Sequence, residues 1–150
     1  MQNEKAYSRD KRSPTPKSAT VSRVMSANKS RNTKPELALR KLLWASSARG
    51  YRLHWKKAPG RPDIAFPGRG LAIFVHGCYW HRCPLCAYPL PKHNTDFWQQ
   101  KFSRNVTRDQ TKTRQLETLG WKVITVWECQ LKAAPSAIVE NILQQIAAKT

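Results

Sequence analysis

Residues Leu71-Ala72-Ile73-Phe74-Val75 form an unbroken apolar run, and that run restricts the folds open to the chain. A strand with one wet face alternates apolar and polar side chains, whereas a strand without alternation must be covered on both faces. Lys122–Trp127 carries a second apolar run, and between the two lies a helical pattern over 95–119 that Gly120 would cap. Two buried strands joined by a long helical crossover are expected to run parallel with a right-handed connection. Upstream, Thr33 and Glu36 have the spacing of a capping box, Pro35 suits a first helical turn, and Leu39, Leu42 and Leu43 recur at helical spacing. A strand over 51–55, a turn at Gly60-Arg61-Pro62 and a strand over 63–66 follow. Ile138, Val139, Ile142, Leu143 and Ile146 give a last helix, over 136–148, one apolar face. The expected fold is a small α/β sandwich with a mixed sheet, a single domain as suits 150 residues.

Charge narrows the partners. Lysine and arginine number 27 against 9 acids, a formal net charge of +18. A field of that sign collects polyanions, nucleic acid first among them. An anionic membrane would also attract it, but the longest apolar runs are five or six residues, far short of a span. The N-terminus has no signal-peptide core, so a cytosolic, bacterial-style protein is expected. Residues 1–24 read as a basic arm, disordered in isolation, and the folded domain as 25–150. Through Lys34 the basic residues number nine, against Glu4 and Asp10, which suits phosphate contacts as well as solubility.

The cysteines number four and fit one site: Cys78, Cys83 and Cys86 form C-x4-C-x2-C, and Cys129 follows the second buried strand. A knuckle plus distant ligands is a common structural zinc arrangement, and a closed four-thiolate site leaves no position for catalysis. A redox pair and unliganded core thiols are the alternatives; Pro84 inside the motif argues against the first. His81 lies between the cysteines and is a further candidate ligand, although four thiolates suffice.

Asp63 starts a strand just after Gly-Arg-Pro, beside the expected end of the run 71–75. An acid there is placed to hold Mg²⁺ against a phosphate, although an aspartate after a turn is more often a turn-former. Glu36 shares the inner face of the first helix with Leu39 and Leu43, and His76 and His81 flank the cysteine loop. Four ionisable groups on one sheet edge suit a hydrolytic site.

The segments GRPDIAF, AIFVHGCYWHRCPLC, FWQQKFSRNVTRD and LETLGWKVITVWEC, in that order between Met25 and Leu131, resemble the very short patch repair (Vsr) endonuclease family. The combination H-G-C-Y-W-H with W-E-C is the specific part. The resemblance implies a restriction-endonuclease-like three-layer fold with a mixed central sheet and a structural zinc site. It also implies an enzyme that nicks double-stranded DNA 5′ to the thymine of a T:G mispair left by deamination of 5-methylcytosine, with Mg²⁺ for cleavage. By this resemblance Asp63 matches the metal-binding aspartate, His81 the general base, His76 the histidine assisting near the phosphate, and Glu36 the acid holding a metal-bound water. Cys78, Cys83, Cys86 and Cys129 match the zinc ligands. Tyr79, Trp80 and Trp98 match aromatics that wedge beside the mismatch, and Met25 a methionine entering from the other groove.

Val75 stands where a well-known form of the family has threonine, so a metal ligand there is limited to its backbone carbonyl. Cys83 stands where a histidine can occur, and the third cysteine ligand is shifted by one. The E-x-K of broader restriction-like nucleases is replaced by Phe74-Val75-His76, so histidine must do the lysine's work. Tyr79 and Trp80 sit in a polar, cysteine-rich loop that suits a rigid wedge, whereas Trp44, Trp121 and Trp127 are expected in the core. The enzyme is expected as a monomer near the nucleoid, with mismatch-repair proteins as possible partners. A non-catalytic zinc-stabilised DNA-binding module and a restriction-type nuclease without mismatch preference are the rival readings; an acid facing phosphates does not suit the first, and the aromatic loop argues against the second.

Overall fold

A computed structural model describes residues 31–148. Its elements are α1 (Lys34–Ala45), β1 (Arg52–Leu53), β2 (Ile64–Phe66), a 3-10 turn (Pro67–Arg69), β3 (Leu71–His76), α2 (Thr95–Thr118), β4 (Lys122–Trp127), α3 (Glu128–Ala133) and α4 (Pro135–Ala148). The expected order holds, with one short helix added: α3 follows β4 without a turn. The basic arm, the boundary at residue 25 and Met25 lie outside the described residues.

The sheet has the order β1-β2-β3-β4. β1 pairs antiparallel with β2, and β2 with β3. β3 and β4 are parallel, with Ala72 opposite Val123 and His76 opposite Trp127. Every residue of β3 is buried, as the unbroken run required. Its side chains divide by parity: Leu71, Ile73 and Val75 join Leu39, Leu43, Ile64, Val126, Leu131 and Ile142 on one face. Ala72 and Phe74 join Ala58, Leu116, Trp55 and Trp121 on the other. The sheet is thus sandwiched between α1, α3 and α4 on one side and α2 on the other. Truncating Leu39 or Leu43, both fully buried, would cost about 2–5 kcal/mol.

Local chemistry sets the element ends. The Thr33 hydroxyl accepts the Glu36 N–H at 3.4 Å. The Glu36 carboxylate reaches back one residue further than a standard capping box, taking the Asn32 N–H at 3.0 Å. Gly120, at φ 86°, closes α2, donating its N–H to the Glu117 carbonyl at 2.9 Å. Trp44 does not join the core: it is 57% exposed, on the outer face of α1 with Leu37, under the Arg49 guanidinium. The inner stripe of α1 is Glu36-Leu39-Leu43, and position 44 falls about 100° away from it. Trp121 and Trp127 are partly buried, Trp121 against Trp55 and Trp127 against His76.

Candidate active site and cysteine cluster

Strand direction collects the polar groups at one end of the sheet. β3 ends at His76 and its parallel partner β4 ends beside it at Trp127. β2 runs the other way, so its beginning, with Asp63 just before it, lies at that same end. β1 is antiparallel to β2, so the residue after it, His54, arrives there too, its N–H donated to the Asp63 carbonyl at 3.2 Å. The N-terminus of α1 delivers Glu36, 3% exposed.

Two groups of ionisable side chains result. In the first, Glu36, His54 and Asp63 each offer a ligand atom, all within 4.8 Å of one another. Asp63 Oδ2 accepts the Val75 N–H at 2.7 Å, which fixes the carboxylate against the end of β3. Burial, opposed by that N–H and aided by the nearby charge of Glu36, pushes the Asp63 pKa up to about 7. Two carboxylates held together away from water are the donor set that a hard dication relieves.

In the second group His76, His81 and Asp109 meet within the same limit. His81 Nδ1 is 2.7 Å from Asp109 Oδ2, and the two imidazoles stack with centroids 4.0 Å apart and planes at 3°. His76 Nε2 is 3.9 Å from Asp109 Oδ1. Burial first, then the neighbouring His81, lowers the His76 pKa to about 4, so it is neutral at pH 7. Burial would raise the Asp109 pKa, but the hydrogen bond from His81 and the neighbouring imidazoles bring it below the usual carboxylate value. An aspartate on Nδ1 fixes the His81 ring and directs Nε2 outward, the arrangement of a positioned proton acceptor. Gly60 brings α2 close enough for this: at φ 76° a Cβ there would lie 2.7 Å from the Lys112 side chain.

The four sulfurs of Cys78, Cys83, Cys86 and Cys129 also lie within 4.8 Å of one another. The parallel register explains it: His76 faces Trp127, and Cys78 and Cys129 each follow two residues later. The Cys129 N–H reaches Cys78 Sγ at 3.3 Å, and Cys83 Sγ is 3.8 Å from Cys129 Sγ. A tetrahedral ion with metal–sulfur bonds of about 2.3 Å puts its sulfurs roughly 3.8 Å apart, so the donor set fits zinc. Burial pushes the Cys78 thiol up to about 12. Burial also acts to raise Cys83, but N–H groups of Cys86 and Leu85 on its sulfur bring it below the ordinary value.

Tyr79 and Trp80 lie early in the loop between β3 and α2, both partly exposed, with ring centroids 5.1 Å apart. Trp80 packs on Trp98 and Phe102 of α2, and Trp98 is 7% exposed. Arg82 lies over Phe102 and donates to the Tyr88 carbonyl, tying the loop to itself.

Residues 15–85 match the family model described as DNA mismatch endonuclease Vsr. The chain is 45% identical over 122 residues to the type II nicking enzyme V.XorIIP of Xanthomonas oryzae, covering 80% of this chain and 89% of that protein. It is 34% identical over 128 residues to the DNA mismatch endonuclease Vsr of Escherichia coli, covering 85% and 81%. The type II nicking enzyme V.NmeAIP of Neisseria meningitidis is 42% identical over 109 residues, 73% and 77% of the two chains. The chain belongs to the Vsr family of DNA mismatch endonucleases.

Within this Vsr-family chain the structure brings together every described residue that the sequence nominated: Asp63 with Glu36 and Val75, His76 with His81, the four cysteines, and Tyr79 with Trp80 and Trp98. Two residues escaped the sequence reading, Asp109 and His54. Each had a signal. Asp109 shares a helical stripe with Trp98, Phe102, Asn105, Lys112 and Leu116, where an acid is out of place without a partner. His54 continues the β1–β2 register by one position, which sets it across from Asp63. Among the described residues no helix is long and apolar enough to cross a membrane.

Proposed function

We propose that the protein nicks double-stranded DNA 5′ to the thymine of a T:G mispair of the kind left by 5-methylcytosine deamination, and so starts very short patch repair. The observation that carries this reading is the His81–Asp109 pair standing beside the Asp63–Glu36 carboxylates at one end of the sheet. A hydrolysis of a phosphodiester needs a base for the attacking water and a cation for the charge that develops on phosphate. Asp63, with the Val75 carbonyl, would hold Mg²⁺, which supplies Lewis-acid stabilisation of that charge when bound. Glu36 orders water on the inner side. His81, its Nδ1 occupied by Asp109, takes the water's proton at Nε2. His76, neutral at pH 7, can donate a hydrogen bond to phosphate without competing with a cation.

The cysteine cluster would hold structural Zn²⁺, pinning the loop that bears Tyr79 and Trp80 to the end of β4. Those rings, with Trp98 behind them and Met25 entering from the other groove, wedge into the base stack, where a mispair costs less to open than a paired step. Residues 1–24 add phosphate contacts, and the net charge of +18 draws the chain to DNA in the bacterial cytoplasm. The sandwich of helices on a mixed sheet suits a restriction-endonuclease-like fold. A non-catalytic binding module has no use for a buried and a half-buried carboxylate held together and an Asp–His pair.

The test is incubation with Mg²⁺ and end-labelled duplex, T:G-mismatched or fully paired, read on a denaturing gel. Cleavage of the thymine strand in the mismatched duplex alone is expected. Equal cleavage of both duplexes would make the protein a nuclease without mismatch preference, and no cleavage would leave it a binding module.

A further inference from the structure

α2 carries Asp109 to His81, and about one turn further on it carries Lys112 on the same face. Arg104, Arg108 and Arg114 of that helix are exposed, whereas Lys112 is partly buried. Its stem lies against the loop that leads to Asp63: a Cβ on Gly60 would stand 2.8 Å from Lys112 Cβ, 2.7 Å from Cγ and 3.0 Å from Cδ. Those atoms are the near part of the side chain and cannot swing away as its tip could. The missing side chain at Gly60, at φ 76°, is what lets the stem pass. Lys112 thus stands in the seam between the two ionisable groups, next to Asp109 on the helix and close to the turn that ends in Asp63. Its charge is felt on both sides, acting to lower the pKa values of Asp63, His76 and Asp109. Among the described residues the ammonium makes no hydrogen bond or ion pair. No buried side-chain nitrogen among them lacks a partner, so this unpaired head opens to solvent while its stem is clamped.

We propose that Lys112 is a further catalytic residue: its ammonium contacts a non-bridging oxygen of the scissile phosphate and holds the negative charge that builds there as water attacks. It takes no proton, which is the work of His81. A fixed cation at that point acts in the transition state more than in binding, because the charge it meets is still developing. β3 ends in Phe74-Val75-His76 and carries no lysine; α2 supplies one from across the seam. The proposal rests on the reading that this site cuts DNA.

The test is single-turnover nicking of T:G duplex with Mg²⁺ by the full chain at saturating enzyme. Lys112→Gln and Lys112→Met both keep the stem against Gly60 and remove the charge. Each should cut about 10²-fold more slowly than wild type, compared at each protein's own pH optimum. Affinity for the duplex should stay within about threefold, one contact among many, and the melting temperature within a few degrees. A saturated rate near wild type in either folded variant overturns the proposal, and if affinity alone falls Lys112 merely holds DNA. A loss of rate that disappears at the variant's own pH optimum also overturns it, since Lys112 would then act by shifting the titration of its neighbours. Loss of cooperative melting in both variants would make Lys112 a packing residue. If wild type cuts no duplex, the reading of the site itself fails and the role of Lys112 falls with it.

Discussion

The cysteine cluster and the carboxylate–imidazole groups lie at the same end of one sheet, yet they are built in opposite ways. The cysteines offer four soft donors, three of them from a single loop, with Cys78 and Cys83 almost fully buried. The other groups draw hard or borderline donors from α1, the end of β1, the start of β2, the end of β3 and α2, and His81 keeps about a third of its side chain exposed. A closed thiolate set suits architecture; an open set of carboxylates and imidazoles suits chemistry on a substrate that comes and goes. The two centres should therefore fail differently when damaged, one through the fold and the other through turnover.

The largest effect should come from the cysteines. Cys78→Ser or Cys83→Ser removes a buried ligand, and structural zinc in small domains contributes about 10–16 kcal/mol, as much as or more than a whole domain's stability of roughly 5–15 kcal/mol. Metal analysis and thermal melting should show zinc lost together with the cooperative transition. A folded, metal-free variant would erase the contrast between the two centres.

Next comes Asp109→Asn. The amide cannot hold His81 as the carboxylate does, and nicking should fall about 10²–10⁴-fold, the range of a general base's contribution. The melting temperature should move by a few degrees at most, since no packing is removed. Single-turnover rates beside a melting curve separate the two. A large loss of stability with little loss of rate would make Asp109 a structural residue.

Smaller still is Trp80→Ala. Its ring packs on Trp98 and Phe102, and the cysteines hold that loop without it. Binding to T:G duplex should weaken by about 1–3 kcal/mol, with paired duplex and salt dependence little changed. Equal weakening on both duplexes in paired titrations would make Trp80 a packing residue.

The smallest effect is one of pH. Asp63 titrates near 7 rather than 3.8, because burial and Glu36 disfavour its charge. A proton therefore competes with the cation, and Mg²⁺ affinity should fall by about tenfold per unit as pH drops below about 7. In folding the sign is also set: a raised carboxylate pKa favours the folded state below 3.8 and loses that advantage as pH rises through 7. Calorimetric titration with Mg²⁺ at several pH values reads the first effect, and pH-independent affinity between 5 and 7 would contradict it.

How much of the molecule is legible in its sequence follows the same division. β3 can be read directly, because an unbroken apolar run fits little except a strand covered on both faces, and the cysteines by their spacing; β4 is a strand as its run suggests but not the buried one expected, since it lies at the sheet edge with Val126 alone fully buried. Glu36 and Asp63 can be nominated because a cap and a turn fix where they sit in the chain. Asp109 and His54 are harder. Each is joined to its partner by tertiary packing, across 28 residues for His81–Asp109 and across a hairpin for His54–Asp63. A charge inside a helix reads as solvated until its face is known, and a short edge strand gives too few residues to set register. Trp44 shows the converse error: an aromatic next to an apolar stripe reads as part of it, although one position on a helix turns the side chain by about 100°. α3 escapes a sequence reading because six residues are too few to show a period.

Whether Asp63 and its neighbours cut DNA at a mispair is decided by single-turnover nicking of a T:G duplex by wild type and Asp63→Asn at one fixed Mg²⁺ concentration. Wild type should cleave the thymine strand 5′ to the mispair, and Asp63→Asn should bind the duplex within a few-fold of wild type, hold its zinc and cleave nothing. Cleavage by Asp63→Asn at a rate near wild type would contradict the account.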